Sequence, residues 1–301
     1  MNKSRLMSTL QQWNLEFLTK LFLIAGLSIG LVTSYFAYDR LYMTPERRFW
    51  IAIENSMTTN SVVRTLAQGA SGNQVTQDYR FHYSPQRVIE NRVELSERSA
   101  TVDTQIVTEG IIFPDRQYLR YTSFDSQANG QEANIDSLLG TWASEPAENE
   151  EEAKLTYLSE QVTLVVFGNY GTSLRTSYLN DLRDAYRVDF NTATELTNDD
   201  GDAVIIYPLR VGLPEYTAIL QRSFVDAGYG EFPPLNPENY REGSDIAAAI
   251  TVRKKDNAVV GIAFGDREES YGNYGLVKQI DAPDAELSID QLQDQVQAQL
   301  Q

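Results

Sequence analysis

From Ser61 onward the apolar residues of this 301-residue chain recur at every second position rather than at every third or fourth. Val75, Gln77, Tyr79, Phe81 and Tyr83 share one side of an extended chain, and Ile89, Val93 and Leu95 resume the alternation after Pro85. A period of two belongs to strands that bury one face. Further runs at residues 101–107, 111–113 and 117–124 are set off by Gly110 and Pro114-Asp115, and residues 138–142 close this half of the chain. Short strands joined by short turns predict an antiparallel meander.

Helical periodicity appears at defined places around this meander. Thr44-Pro45 reads as N-cap and first helical residue, because a proline nitrogen has no hydrogen to leave unsatisfied there. Phe49, Ile53 and Met57 then follow at four-residue spacing. Leu155, Leu158, Val162 and Val165 or Val166 predict a helix entered through the acidic run 145–154, whose carboxylates suit a helix N-terminus. Leu174, Tyr178, Leu179 and Leu182 mark another, and Tyr216, Leu220 and Phe224 a fourth that Gly228 ends. Strands return at residues 186–196 and 203–211, and Asp200-Gly201 between them supplies the positive-φ geometry of a hairpin turn. The stretch 229–245 holds Gly230, Pro233, Pro234, Pro237 and Gly243, which predicts a long loop and a place where a lid or binding loop would lie. Strands are expected at 246–252, 259–265 and 275–280, and Ser288 caps a final helix carrying Ile289, Leu292 and Val296.

Residues 21–38 form an uncharged run of eighteen residues, long enough to cross a bilayer as one helix. Leu21, Phe22, Ile24, Gly26 and Gly30 lie within it, and Tyr35 and Phe36 crowd its far end, where amphipathic rings favour the headgroup level. The long preceding segment and poor cleavage geometry predict an uncleaved anchor rather than a signal peptide. The cations before and after the run balance, so the expected orientation, N-terminus cytoplasmic and large domain extracytoplasmic, rests on the size of that domain. Gly26, Gly30 and Ser34 form a small-residue face that would let two such helices approach and the chain oligomerise.

Six Lys/Arg and three Asp/Glu in the first 48 residues leave a net charge of −20 for the rest of a chain at −17. That excess opposes nucleic acid as a partner. The chain has no cysteine, which excludes disulfides, thiol catalysis and a lipidated N-terminal cysteine.

The segment 250–266 (ITVRKKDNAVVGIAFGD), followed by Tyr271-Gly272-Asn273-Tyr274-Gly275 and Ile280-Asp281-Ala282-Pro283, resembles the ending of the half-barrel carrier families. These include the periplasmic lipoprotein carrier and the related bacterial lipid-carrier lipoproteins. The order of helix, meander, hairpin and helix from Thr44 to Pro283 matches as well. The resemblance implies an incomplete antiparallel barrel closed by helices around an apolar cavity for acyl chains. The chain departs from these families in lacking the lipidated cysteine and in carrying a tether, which turns the expectation from shuttling toward local binding.

Reactive constellations are sparse. His82 is the single histidine and reads as a surface or edge-strand residue; no G-x-S-x-G, P-loop or dinucleotide-binding glycine pattern occurs. The expected fold class is α+β, with an N-terminal transmembrane helix followed by a curved antiparallel sheet, a half-barrel, closed by helices. Segments are expected at 1–20 (cytoplasmic), 21–38 (span), 44–283 (extracytoplasmic domain) and 284–301 (C-terminal helix). The expected function is binding of a lipid, lipoprotein or other apolar ligand at the plasma membrane, without catalysis, cofactor or metal. The alternatives are an envelope scaffold or adhesion module with a filled core and, behind it, a hydrolase without a recognised motif.

Overall fold

The structure, a computed structural model, describes residues 20, 24, 27, 28, 30, 33, 34, 42–70, 73–99, 102–128, 131–146, 155, 158–278 and 281–299. The chain divides into two compact units, residues 1–48 and 49–301.

In the first unit, Lys20, Ile24, Leu27, Ser28, Gly30, Thr33 and Ser34 are helical. The Ser28 hydroxyl donates to the Ile24 carbonyl (2.8 Å) and that of Thr33 to the Gly30 carbonyl (3.1 Å). Leu21, Phe22, Gly26, Tyr35 and Phe36 lie outside the described residues. Among those described, no helix is long and apolar enough to cross a membrane, which overturns the expected transmembrane helix and the single-pass plasma-membrane placement built on it. The expectation rested on the length of an uncharged run, and the few helical positions described within it do not make an apolar helix of spanning length. No heavy atom approaches within 4 Å of where a Gly30 Cβ would sit, and Gly26 of the expected small-residue face lies outside the described residues.

The fold class is corrected accordingly, to a large antiparallel sheet with a few helices. Helix α1 (Pro45–Ser56) starts where Thr44 caps it, the Thr44 hydroxyl accepting from the Arg47 amide at 3.2 Å. Then come β1 (Ser61–Ala70), β2 (Asn73–His82), β3 (Val88–Arg98), β4 (Val102–Ile112), β5 (Arg116–Ala128), β6 (Gln131–Ala133) and β7 (Ala143–Pro146). Helix α2 (Thr172–Ala185) leads directly into β8 (Tyr186–Val188), followed by β9 (Thr194–Thr197), β10 (Ala203–Gly212) and α3 (Leu213–Asp226). The chain ends with β11 (Asp245–Arg253), β12 (Ala258–Phe264), β13 (Arg267–Gly272) and α4 (Ile289–Gln299). All thirteen strands described join one sheet, ordered β6-β5-β4-β3-β2-β1-β13-β12-β11-β10-β8, with β7 on β5 and β9 on β10.

An open twisted sheet of this many strands curls rather than staying flat. Helix α3 leaves the end of β10 and runs across the strands between β10 and β2, where Arg87 Nη1 donates to the Ala227 carbonyl at 3.2 Å. Bulges at Thr251/Val252 and Val107/Thr108 add local twist.

The main core fills one side of the bend, where Phe49, Ile53 and Met57 of the α1 region meet Tyr178 and Leu182 of α2, Tyr216 and Leu220 of α3, and Tyr207, Ile250 and Ile262 of the sheet. Residues 162–167 do not continue the helix expected from 155. The helix ends at Gln161, and the buried segment after it has carbonyls bound by side chains: Thr163 by Tyr216 (2.7 Å), Leu164 by Tyr186 and Val166 by Ser56 (3.0 Å). The 229–245 stretch is likewise a packed strap, with short 3-10 turns at Pro233–Leu235 and Pro237–Asn239 and with Phe232 and Leu235 buried. The strand expected at 275–280 lies earlier, as β13.

Candidate functional site

Strand register places the inner face of the sheet in rows. Phe81, Ile89 and Ile112 form one row across β2, β3 and β4 and are buried in the main core. Two residues on along β2 runs the row Tyr79, Asn91, Gly110 and Leu119, in which the Asn91 side chain lies across Gly110 in the space a Cβ would take. Next comes Gln77, Val93, Thr108 and Tyr121, and then Val75, Leu95, Ile106 and Phe124. Every member of these last two rows is only half-buried among the described residues. One inner surface is thus packed shut toward β8–β13 and α1–α3, and gives way over β2–β5 to a half-buried stretch, the trough, whose outermost row is wholly apolar.

Helix α4 roofs the far side of this trough. Ile289, Leu292 and Val296 form its buried stripe and cluster with Ile135, Leu138 and Ala143, against Leu119, Tyr121 and Phe124 of β5. Its start is a capping box: the Ser288 hydroxyl accepts from the Gln291 amide (3.1 Å), and the Gln291 side chain accepts from the Ser288 amide (2.9 Å).

Where the trough meets the filled core, polar groups point inward. The Tyr121 row continues through Gln77 and Leu66 to Glu269, which is 1% exposed. Glu269 accepts from Arg267 Nε (2.6 Å), Thr163 (3.1 Å) and Tyr271. Arg64 is buried beside them, its guanidinium 4.5 Å from the Tyr79 ring centroid and 4.9 Å from that of Phe81, and it donates through Nη2 to the Glu160 carbonyl at 3.0 Å. Burial first and the Glu160 carboxylate second hold the Tyr79 hydroxyl well above the ordinary phenol range. These charges balance and anchor residues 158–163 to the sheet.

A small cavity of about 20 Å³ lies between Tyr83, Gln161, Tyr170 and Ser223. A shallow groove of about 400 Å³ crosses the outer face at Thr65, Thr251, Gly261 and Ser270. His82 is no surface residue: it is 2% exposed on the outer face, with Nε2 2.6 Å from Glu90 Oε1. The sequence hid this because its partner comes from the next strand. Among the described residues no group of three His, Cys, Asp or Glu is placed to hold a metal ion.

The buried hydroxyls make a testable signature. Burial raises Tyr83, Tyr186, Tyr216 and Tyr271 above the ordinary value of 10.0, Glu269 adding to the rise at Tyr271. A phenol raised in the folded state contributes stability that is intact below pH 10 and is lost as pH climbs beyond it. Tyrosinate absorbance should therefore rise in a late, cooperative step that coincides with unfolding. Independent titration of all tyrosines near pH 10 in a folded chain would contradict this packing.

The arrangement defines a class: a curled antiparallel sheet with helices on its inner face, filled at one side and trough-like at the other. No protein-family profile matches the sequence, and no curated protein matches it. Among solved structures the chain is similar to LprF from Mycobacterium bovis, at TM-score 0.36 and 12% identity over 79% of this chain and 96% of that one. It is also similar to a beta-barrel-like protein of domain of unknown function DUF1849 from Brucella abortus, at TM-score 0.20 and 9% identity over 72% and 96%. Likeness at this level carries neither fold nor activity across.

Proposed function

We propose that the trough binds an apolar or amphiphilic ligand, such as an acyl chain, without transforming it. The observation that carries this reading is the row Val75, Leu95, Ile106 and Phe124, apolar on four successive strands and half-buried on the same face as a fully packed core. Apolar area left at a concave surface is stabilised by a partner that removes it from water, at about 25 cal/mol per Å² buried. An Ile106→Glu or Leu95→Lys substitution puts a charge on the trough floor, where the free protein leaves it partly hydrated. Either should weaken uptake of the apolar dye N-phenylnaphthylamine roughly tenfold or more, a loss of about 1.4 kcal/mol, with little change in thermal midpoint. Unchanged affinity in both variants would remove the trough as the site.

A scaffold role is the second reading, and the filled half favours it. Phe49, Tyr178, Tyr186, Tyr207 and Tyr216 occupy the space beneath the helices that a ligand would need there. On either reading that half is the rigid support.

A further inference from the structure

We propose that α4 is a hinged gate over the β5 end of the trough, pivoting at residue 287 and lifting to admit the ligand. This rests on the binding reading above. Helix α4 covers the trough's own floor, since Tyr121 and Phe124, which end the two half-buried rows, are the residues its cluster packs against. That cluster is separate from the main core, so lifting α4 exposes a small apolar group and leaves the principal packing untouched.

The attachment of α4 is asymmetric. At its start the backbone is pinned: the Ser144 amide donates to the Leu287 carbonyl (2.9 Å), the Glu286 amide to that of Trp142 (3.1 Å), and Ala143 and Leu287 form a β-bridge. At its far end, among the described residues, the polar tie is a long hydrogen bond from Gln299 to the Ser137 hydroxyl, at 3.4 Å. Between these ends, among the described residues, Ile289, Leu292 and Val296 hold the helix down by apolar contact. A helix pinned at one end and held elsewhere by non-directional contact moves as a flap. The ligand offers Tyr121 and Phe124 the apolar cover that the departing helix removes, which offsets part of the area that lifting exposes.

The chain has no cysteine, so a Ser137→Cys/Gln299→Cys pair can be joined uniquely by a short bis-maleimide in the full-length protein. Uptake of N-phenylnaphthylamine would be measured in the wild type, in the pair capped singly with a mono-maleimide, and in the cross-linked form. Circular dichroism would verify the fold of each. The expected result is uptake by the first two and its loss in the third. Equal rate and extent of uptake with the helix cross-linked would overturn the gate while leaving the binding reading intact. Absence of uptake in the wild type would overturn the binding reading, and the gate with it.

Discussion

Replacing Arg267 with Met should destabilise the protein by about 3–5 kcal/mol at neutral pH, because it strands the Glu269 carboxylate inside the sheet. Glu269 is 1% exposed, and its remaining hydrogen-bond partners would be the uncharged hydroxyls of Thr163 and Tyr271, while the nearby Arg64 guanidinium is engaged with the Glu160 carbonyl. Urea midpoints of the two proteins at neutral pH measure this directly. A deficit below about 1 kcal/mol, the range of an exposed ion pair, would mean that Glu269 does not depend on Arg267 for its compensation.

The second large effect is expected at Phe49, which is fully buried and meets Trp50, Tyr186, Phe190 and Tyr207 edge-on, with centroid distances of 5.1, 6.3, 5.8 and 5.2 Å. Phe49→Ala removes the ring that ties α1 to β8 and β10 and leaves a cavity among rigid aromatics that cannot collapse around it. The expected cost is about 3–5 kcal/mol. For a unit of this size that lowers the thermal midpoint by roughly 6–20 °C. Calorimetry would measure it, and a shift of only a degree or two would show that neighbouring rings repack into the space.

The helices were legible because their signals are local. Thr44-Pro45 and Ser288 cap the helices that follow them, and the stripes Phe49-Ile53-Met57 and Tyr216-Leu220-Phe224 are buried. Strand β13 was displaced in the sequence reading because its inward positions are Arg267, Glu269 and Tyr271, so no apolar alternation marks it. His82 looked exposed because it alternates out of phase with Tyr79, Phe81 and Tyr83, which gives no sign of a partner on the next strand. Residues 162–167 carry apolar spacing compatible with a helix, but their backbone is held by hydroxyls of Ser56, Tyr186 and Tyr216, from distant parts of the chain. The uncharged run at 21–38 shows that length and lack of charge nominate a span without establishing one.

The trough was half legible. Alternation put Val75, Val93 and Leu95 on one face, but whether that face is filled depends on what folds over it. Its roof, α4, comes some two hundred residues later in the chain, and its filled neighbour depends on α2 and α3. Burial of this kind is a property of the assembled sheet, in which the curl brings helix and strand together.

The account stands most directly on whether the trough holds a ligand. Native mass spectrometry of the full chain, purified without detergent and compared with Ile106→Glu, is the measurement to make. The expected result is a wild-type species carrying extra mass that organic extraction removes, and a variant that lacks it. A wild-type mass matching the bare polypeptide, together with no uptake of N-phenylnaphthylamine, would contradict the binding reading and leave the filled core as a scaffold.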